Sequence, residues 1–300
     1  MTTDRIEEYR QKSIAAFPDL DIMSAKIIGS GWHHDAVEVN GTIIFRIPRF
    51  DHASDVTDDS VGYETSTLRL LRGKLKIAIP DPLYVAKDNS YFGYPKLSGV
   101  LLADRWSGLS ESEKDAIIEA WVGIVAEIHD TVPLVKGKEL QIPLFADPNE
   151  PIDSTAKKID TVQGLDPIVY DFAKRVLKQS KGIDVQNHQD TVIHNDLHLF
   201  NMLIDPDTHR LTGVIDWTDI CIGPLEREFC AWEWEQDDSL EKVVRQYEAK
   251  TGKKVNIDEA RFWKHIETVS DLVEAAETND QKKIKESIDI IKYWSKRTGL

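Results

Sequence analysis

The sequence predicts an α+β protein in two parts, a small, mostly antiparallel sheet in residues 1–97 and a larger, mostly helical part in residues 98–300. Three observations carry that expectation. Apolar residues alternate with a period of two before Ser98 and recur at helical spacing after it. Turn-forming pairs separate the alternating runs. One short block of strands, within Thr191–Asp219, interrupts the helical half.

The opening stretch, MTTDRIEEYRQKSIAAF, reads as a helix capped by Thr3 or Asp4, with Ile6, Tyr9, Ile14 and Phe17 on its apolar face. Period two then takes over in MSAKIIGSG, DAVEVNG and TIIFRIP, with Gly29, Gly31, Asn40 and Gly41 at the turns. Asn40-Gly41 is a strong hairpin signal, because a type I′ turn needs positive φ at both central positions. A polar, acidic loop over residues 51–60 leads into a helix, YETSTLRLLRGKL. Pro80 and Pro82 punctuate a second strand pair, DPLYVAK and SYFGYPKL, joined at Asp88-Asn89. Beyond Ser98-Gly99, SESEKDAIIEAWVGIVAEIHD is an amphipathic helix with Ser110 and Glu113 in capping-box spacing. Val132–Pro151 is expected to run over the surface, and helices are expected around 155–182, 224–250 and 257–297. Between them TVIHND, NMLID and LTGVIDW form the strand block. There is no internal repeat and no low-complexity tract.

Composition narrows the partners. With 41% hydrophobic residues in 300, the chain can bury a substantial core. A net charge of −15 repels nucleic acid and anionic membranes and draws in cations. Cys221 and Cys230 read as free thiols of a reducing compartment, since no apolar N-terminal segment or membrane-length run is present. A soluble cytoplasmic monomer is expected.

The chemistry concentrates in TVIHNDLHLFNMLIDPDTHRLTGVIDWTD. An apolar strand delivers His194, Asn195 and Asp196 to a loop that ends at Asn201, and a hairpin returns to a second apolar strand finishing in Asp216. Asp196, Asn201 and Asp216 are thereby expected close together. Phosphoryl transfer needs such a set. One carboxylate orients the attacking hydroxyl and accepts its proton, while an amide oxygen and a second carboxylate hold Mg2+ against the phosphates.

The pattern H-x-D-x-x-x-x-N over His194–Asn201, followed by Ile215-Asp216-Trp217, resembles the aminoglycoside phosphotransferase family, of which the macrolide kinases are close relatives. The resemblance implies a bilobal, protein-kinase-like fold. Residues 1–97 would clamp the nucleotide, and residues 98–300 would form the catalytic and acceptor-binding lobe. It implies Asp196 as catalytic base, Asn201 and Asp216 as Mg2+ ligands, and ATP or GTP as donor. Asp219 would reach metal-bound water or substrate amines. His194 is expected to be a scaffold residue, and His198 either shares that role or faces the substrate. Asn195 and the string Asp216-Trp217-Thr218 depart from the protein-kinase pattern.

For the nucleotide, Gly29-Ser30-Gly31 stands where a kinase glycine-rich loop lies, but His34 or Asp35 falls near the place of its third glycine. Arg46, in Phe45-Arg46-Ile47-Pro48-Arg49, takes the position of the usual phosphate-gripping lysine, with Glu64 as its partner. That substitution looks more like the macrolide kinases. Tyr91–Gly99 resembles the interlobe linker, with the backbone of Pro95 and Leu97 pairing the purine and Tyr94 behind the base. A bulky residue there leaves room for guanine.

On the acceptor side, Glu226, Glu228, Glu233, Glu235, Asp237, Asp238 and Glu241 surround Trp232 and Trp234. Carboxylates beside aromatic faces suit a polyamine sugar, and a solvated acidic face with its tryptophans in the core is an equal reading. The acceptor candidates are His198, Asp219, Glu233, Glu235 and Asp238; Glu228 is expected to tie the catalytic loop down. An aminoglycoside acceptor comes first. A macrolide 2'-phosphotransferase, a kinase of choline, homoserine or a small sugar, and a non-catalytic nucleotide-binding pseudokinase are the alternatives. The joint presence of the base and both metal ligands disfavours the pseudokinase.

Overall fold

The computed structural model describes the chain except residues 1–5, 8, 10, 12–15, 31–33, 49–59, 146–148, 181–190, 235–237 and 298–300. Thr3, Asp4, Ile14, Gly31, Arg49, Glu235 and Asp237 therefore lie outside the described residues. The chain forms two compact units, residues 1–142 with 196–220 and residues 143–195 with 221–300.

In the first unit, β1 (Ala25–Ser30), β2 (His34–Val39), β3 (Ile43–Pro48), β4 (Tyr84–Val85) and β5 (Phe92–Pro95) build the predicted antiparallel sheet, in the order β1-β2-β3-β5-β4. The Asn40-Gly41 hairpin turns with φ of 52° and 71°, and the Thr42 N–H closes it on the Val39 carbonyl. Both values are positive, as a type I′ turn demands. Alternate residues Val37, Val39, Phe45 and Ile47 face a core shared with Tyr9, Ile22, Ala86 and Tyr91. The helix Ser60–Leu71 buries Val61, Glu64, Leu68 and Leu71. The helix Glu111–Thr131 begins with the expected capping box, the Ser110 side chain accepting from the Glu113 N–H and the Glu113 carboxylate from the Ser110 N–H.

The strand block divides differently from the expectation. β8 (Met202–Ile204) and β9 (Leu211–Val214) form a hairpin extended by β6 (Val100–Leu101), whereas β7 (Thr191–Ile193) pairs with β10 (Cys221–Gly223) in the second unit. β6 and β10 are two and three residues long, too short to show a period of their own.

In the second unit helices pack around Ile159, Val169, Phe172, Trp263, Leu272 and Trp294. The 257–297 stretch is two helices, Ile257–Glu277 and Gln281–Arg297, because Asn279 turns with φ of 57° and Asp280 caps the next helix by accepting from the Lys282 and Lys283 N–H groups. The 224–250 stretch likewise splits into Leu225–Phe229, a 3-10 turn at Cys230–Trp234, and Ser239–Thr251. The 155–182 stretch becomes Asn149–Lys158 and Pro167–Gln179. The described part of Val132–Pro151 runs largely over the surface, with Val135 and Leu144 exposed, and it also holds the short helix Leu134–Glu139; Phe145 donates its N–H to the Ile222 carbonyl. Among the described residues no helix is long and apolar enough to cross a membrane.

Candidate active site

The β8–β9 hairpin positions two of the predicted groups. β8 starts directly after Asn201 and β9 ends two residues before Asp216, with Met202 opposite Val214 and the Ile215 N–H donating to the Asn201 carbonyl at 2.9 Å. Asn201 and Asp216 therefore flank the same end of one ladder. Asp216 adopts φ of 60°, a conformation that an L-residue keeps only when its neighbours hold it. Its side chain is 41% exposed.

Asp196 is held from two sides. Asn201 Nδ2 donates to the Asp196 carbonyl at 2.8 Å and to its Oδ2 at 2.7 Å. His198 caps the 3-10 turn Leu199–Asn201 by accepting the Phe200 N–H on Nδ1. Its proton is consequently on Nε2, which faces Asp196 Oδ1 at 3.2 Å. The Trp121 indole N–H anchors the loop by donating to the Leu197 carbonyl at 3.1 Å. His198 thus stands against the Asp196 carboxylate.

Arg46 joins three elements. From β3 it donates through Nη1 to Glu64 Oε1 at 2.6 Å, and through Nη2 to Asp216 Oδ1 at 2.7 Å and to the Thr218 hydroxyl. Thr218 in turn donates to Asp216 Oδ1 at 3.0 Å, and the Trp217 N–H donates to Glu64. The Arg46–Glu64 pair stands as expected, and the contacts to Asp216 and Thr218 are additions that no local pattern announces. The Arg46 side chain is 9% exposed. Burial pushes the Glu64 carboxyl up to about 7, with Arg46 opposing the rise and Asp216 and Asp219 adding to it. Burial would lower the Arg46 pKa, but Asp216 and Glu64 raise it, so the guanidinium stays charged.

Among the described residues no cluster of three or more His, Cys, Asp or Glu side chains is arranged to hold a cation alone. Asn201 and Asp216 nevertheless fit Mg2+ in chemistry. Mg2+ takes one or two protein oxygens and completes its shell with water and phosphate. With Asn201 Nδ2 committed to Asp196, the amide oxygen is the atom offered to a cation.

The nucleotide candidates lie along the same unit. Gly29 pairs with Ala36 beside an irregularity in β1, and Ser30 pairs with Asp35. Asp35, near the place of the missing third glycine, is buried and accepts the Tyr9 hydroxyl at 2.8 Å, so it is turned into the core. Tyr94 is buried with its ring 5.9 Å from Phe92, Pro95 is exposed, and Leu97 is half-buried. Gly99 has φ of 123°, and a Cβ there would stand 2.5 Å from Thr212 Oγ1.

The acceptor candidates are divided between the two units. Asp219 is exposed in the first unit. In the second, Glu233 is buried and paired with Arg261 at 3.4 Å, and Asp238 is exposed and paired with Arg297 at 2.9 Å. Neither enters as an unpaired charge. Glu228 accepts the Asn195 N–H at 3.2 Å, the expected tie at the start of the loop that carries Asp196. Arg227, which the sequence presents only as a break in a run of acids, is buried and donates to Asn195 Oδ1 at 2.9 Å.

Comparison with solved structures places the chain beside antibiotic kinases in fold. A GDP complex of wild-type aminoglycoside 2'-phosphotransferase-IIIa aligns with TM-score 0.76 at 22% identity, covering 95% of this chain and 97% of that one. A GDP and kanamycin complex of APH(2")-IIIa aligns at 0.78 and 22%, with the same coverage. A macrolide 2'-phosphotransferase type I aligns at 0.63 and 19%, again over 95% and 97%. Among curated proteins no sequence matches. Residues 24–263, which span the sheet, the Arg46–Glu64–Asp216 chain and the Asp196 loop, match the profile of the phosphotransferase enzyme family (APH). The fold and this match agree, and the chain belongs to that family of small-molecule kinases.

Proposed function

We propose that the enzyme transfers the γ-phosphoryl group of ATP or GTP to a hydroxyl of a small cationic antibiotic, an aminoglycoside. The observation that carries this reading is the Asp196 carboxylate, fixed by Asn201 and His198 in the same unit as the Arg46–Glu64–Asp216 chain. Asp196 accepts the proton of the acceptor hydroxyl as its oxygen attacks the γ-phosphorus, while the bond from that phosphorus to the bridging oxygen breaks and ADP or GDP leaves with the electron pair. Asn201 and Asp216 would hold Mg2+, which when bound would screen the phosphate charge. Arg46 supplies a second cation for the phosphates, positioned by Glu64. Gly29, Ser30 and Gly31 cover the phosphates, and Tyr94, Pro95 and Leu97 receive the base.

Residues 1–97 act as the nucleotide clamp and residues 98–300 as the catalytic and acceptor-binding part. Asp219 and His198, both in the first unit, meet the acceptor, and the net charge of −15 favours a cation there. The kanamycin, gentamicin and GDP complexes of similar structures support this choice of acceptor and donor. The same net charge suits a cytoplasmic monomer without nucleic-acid or membrane partners.

Purified protein with Mg2+ and ATP or GTP is offered kanamycin, erythromycin or choline, and nucleotide consumption is followed with the mass of the acceptor. Kanamycin should gain one phosphoryl group. Asp196→Asn should lower kcat by about 10²–10⁴-fold while nucleotide affinity stays nearly constant. Normal kcat in that variant would remove Asp196 from its role. Transfer to erythromycin alone would favour the macrolide reading, for which Arg46 on β3 is the specific observation.

A further inference from the structure

Asn195 is the last residue of its segment of the second unit, and one peptide bond joins it to Asp196. It adopts φ of 67°, in the left-handed region. Asparagine enters that region more readily than most residues, yet at some cost unless contacts hold it. Two contacts do. Its backbone N–H donates to Glu228 Oε2 at 3.2 Å, and its side-chain Oδ1 accepts Arg227 Nε at 2.9 Å.

Arg227 is itself immobilised. Nη2 donates to Glu267 Oε1 at 2.9 Å, Nη1 donates to Cys230 Sγ at 3.2 Å, and the guanidinium lies 5.8 Å from the Phe145 ring centroid. Lys264 Nζ takes the other Glu267 oxygen at 2.5 Å. Helix Leu225–Phe229, helix Ile257–Glu277 and the residue before Asp196 thus meet at one guanidinium. A guanidinium with all three nitrogens engaged is a stiff anchor.

We infer that Arg227 is a positioning residue for phosphoryl transfer: with Glu228 it clamps Asn195 in the left-handed conformation and so sets the peptide that carries Asp196. The inference rests on the role proposed above for Asp196. Without the side-chain tie, Asn195 relaxes toward negative φ. The peptide plane that follows then rotates, moving the Asp196 carboxylate away from Asn201 and His198. Displacement of a reacting group by about 1 Å is enough to cost on the order of 10²-fold in rate.

The test separates this from a purely structural role of Arg227. Asn195→Gly keeps positive φ accessible and removes only the acceptor oxygen; Asn195→Asp keeps both. Turnover of Mg-GTP and Mg-ATP is measured with kanamycin and with water as acceptor, together with amide hydrogen exchange of the peptide spanning residues 191–201. Asn195→Gly and Arg227→Met should each lower kcat by about 10–100-fold, with the nucleotide KM changed by less than about twofold. The double variant should be no slower than the slower single variant, because both remove one contact. Asn195→Asp should restore most of the rate lost in Asn195→Gly. Exchange in 191–201 should rise in Asn195→Gly and Arg227→Met and stay low in Asn195→Asp. Wild-type rate and exchange in Asn195→Gly, or multiplicative losses in the double variant, would overturn the inference. Absence of turnover in the wild type would strike the kinase reading instead, and the exchange pattern would still decide the clamp.

Discussion

Removing the charge of Arg46 probes the centre of the site. The guanidinium is largely buried and binds two carboxylates and one hydroxyl. Arg46→Met keeps much of the volume and deletes all three contacts. Breaking a buried pair from one side costs about 3–5 kcal/mol, because the other charge remains buried without its partner. Here the stranded group is Glu64, whose carboxyl burial already pushes up to about 7. It escapes by taking a proton, so the cost should be smaller at pH 6 than at pH 8. The sign holds for the wild type too. A carboxyl with a raised folded pKa stabilises fully below its unfolded value of 4.5, and that contribution is lost as pH rises through about 7. Arg46→Lys retains one point charge for two carboxylates and should lose about 1.5–3 kcal/mol. Equilibrium urea unfolding at pH 6 and pH 8 reads these values from the shift in midpoint at constant slope. Adding Glu64→Gln to Arg46→Met should recover part of the loss at pH 8. An Arg46→Met protein within about 0.5 kcal/mol of wild type at pH 8 would show that no uncompensated charge is left behind, since that is the range of an ordinary surface change.

Other expectations are simpler. Gly99→Ala should lose about 1–3 kcal/mol from φ alone, and more because its Cβ meets Thr212 Oγ1 and, at 2.8 Å, the Ile204 carbonyl; an unchanged urea midpoint would contradict it. Ser110→Ala should cost about 1 kcal/mol by removing the cap of helix Glu111–Thr131, read from the same titration. Cys221 and Cys230 are both buried, and burial pushes the Cys230 thiol up to about 11. Ellman's reagent at pH 8 should therefore label neither thiol until urea is added. The raised thiol pKa also means that this part of the stability is present below 9.0 and fades as pH rises toward about 11. Rapid labelling of Cys230 in the native protein would show that the thiol is accessible.

Features with a local cause could be read from the residues alone. Asn40-Gly41 can only turn with two positive φ values, so the first hairpin was legible, and the capping box at Ser110 and Glu113 announced its helix. The spacing from Asp196 to Asn201 is short enough for one side chain to reach the other across a single 3-10 turn. Features that depend on distant partners emerged only on folding. Whether Arg46 would touch Asp216 as well as Glu64 depended on where the chain carried Asp216, 170 residues further along the sequence. Strands of two and three residues exist only because a neighbour supplies their hydrogen bonds, so β6 and β10 left no trace in the periodicity. Arg227 looked like one base among acids, and burial against Glu267 and Asn195 made it an anchor. The acids around it were equally undecided: burial paired Glu233 with Arg261 and left Asp238 at the surface. Charge and period are written along the chain, but desolvation and pairing follow from packing, and those set what a buried charge can do.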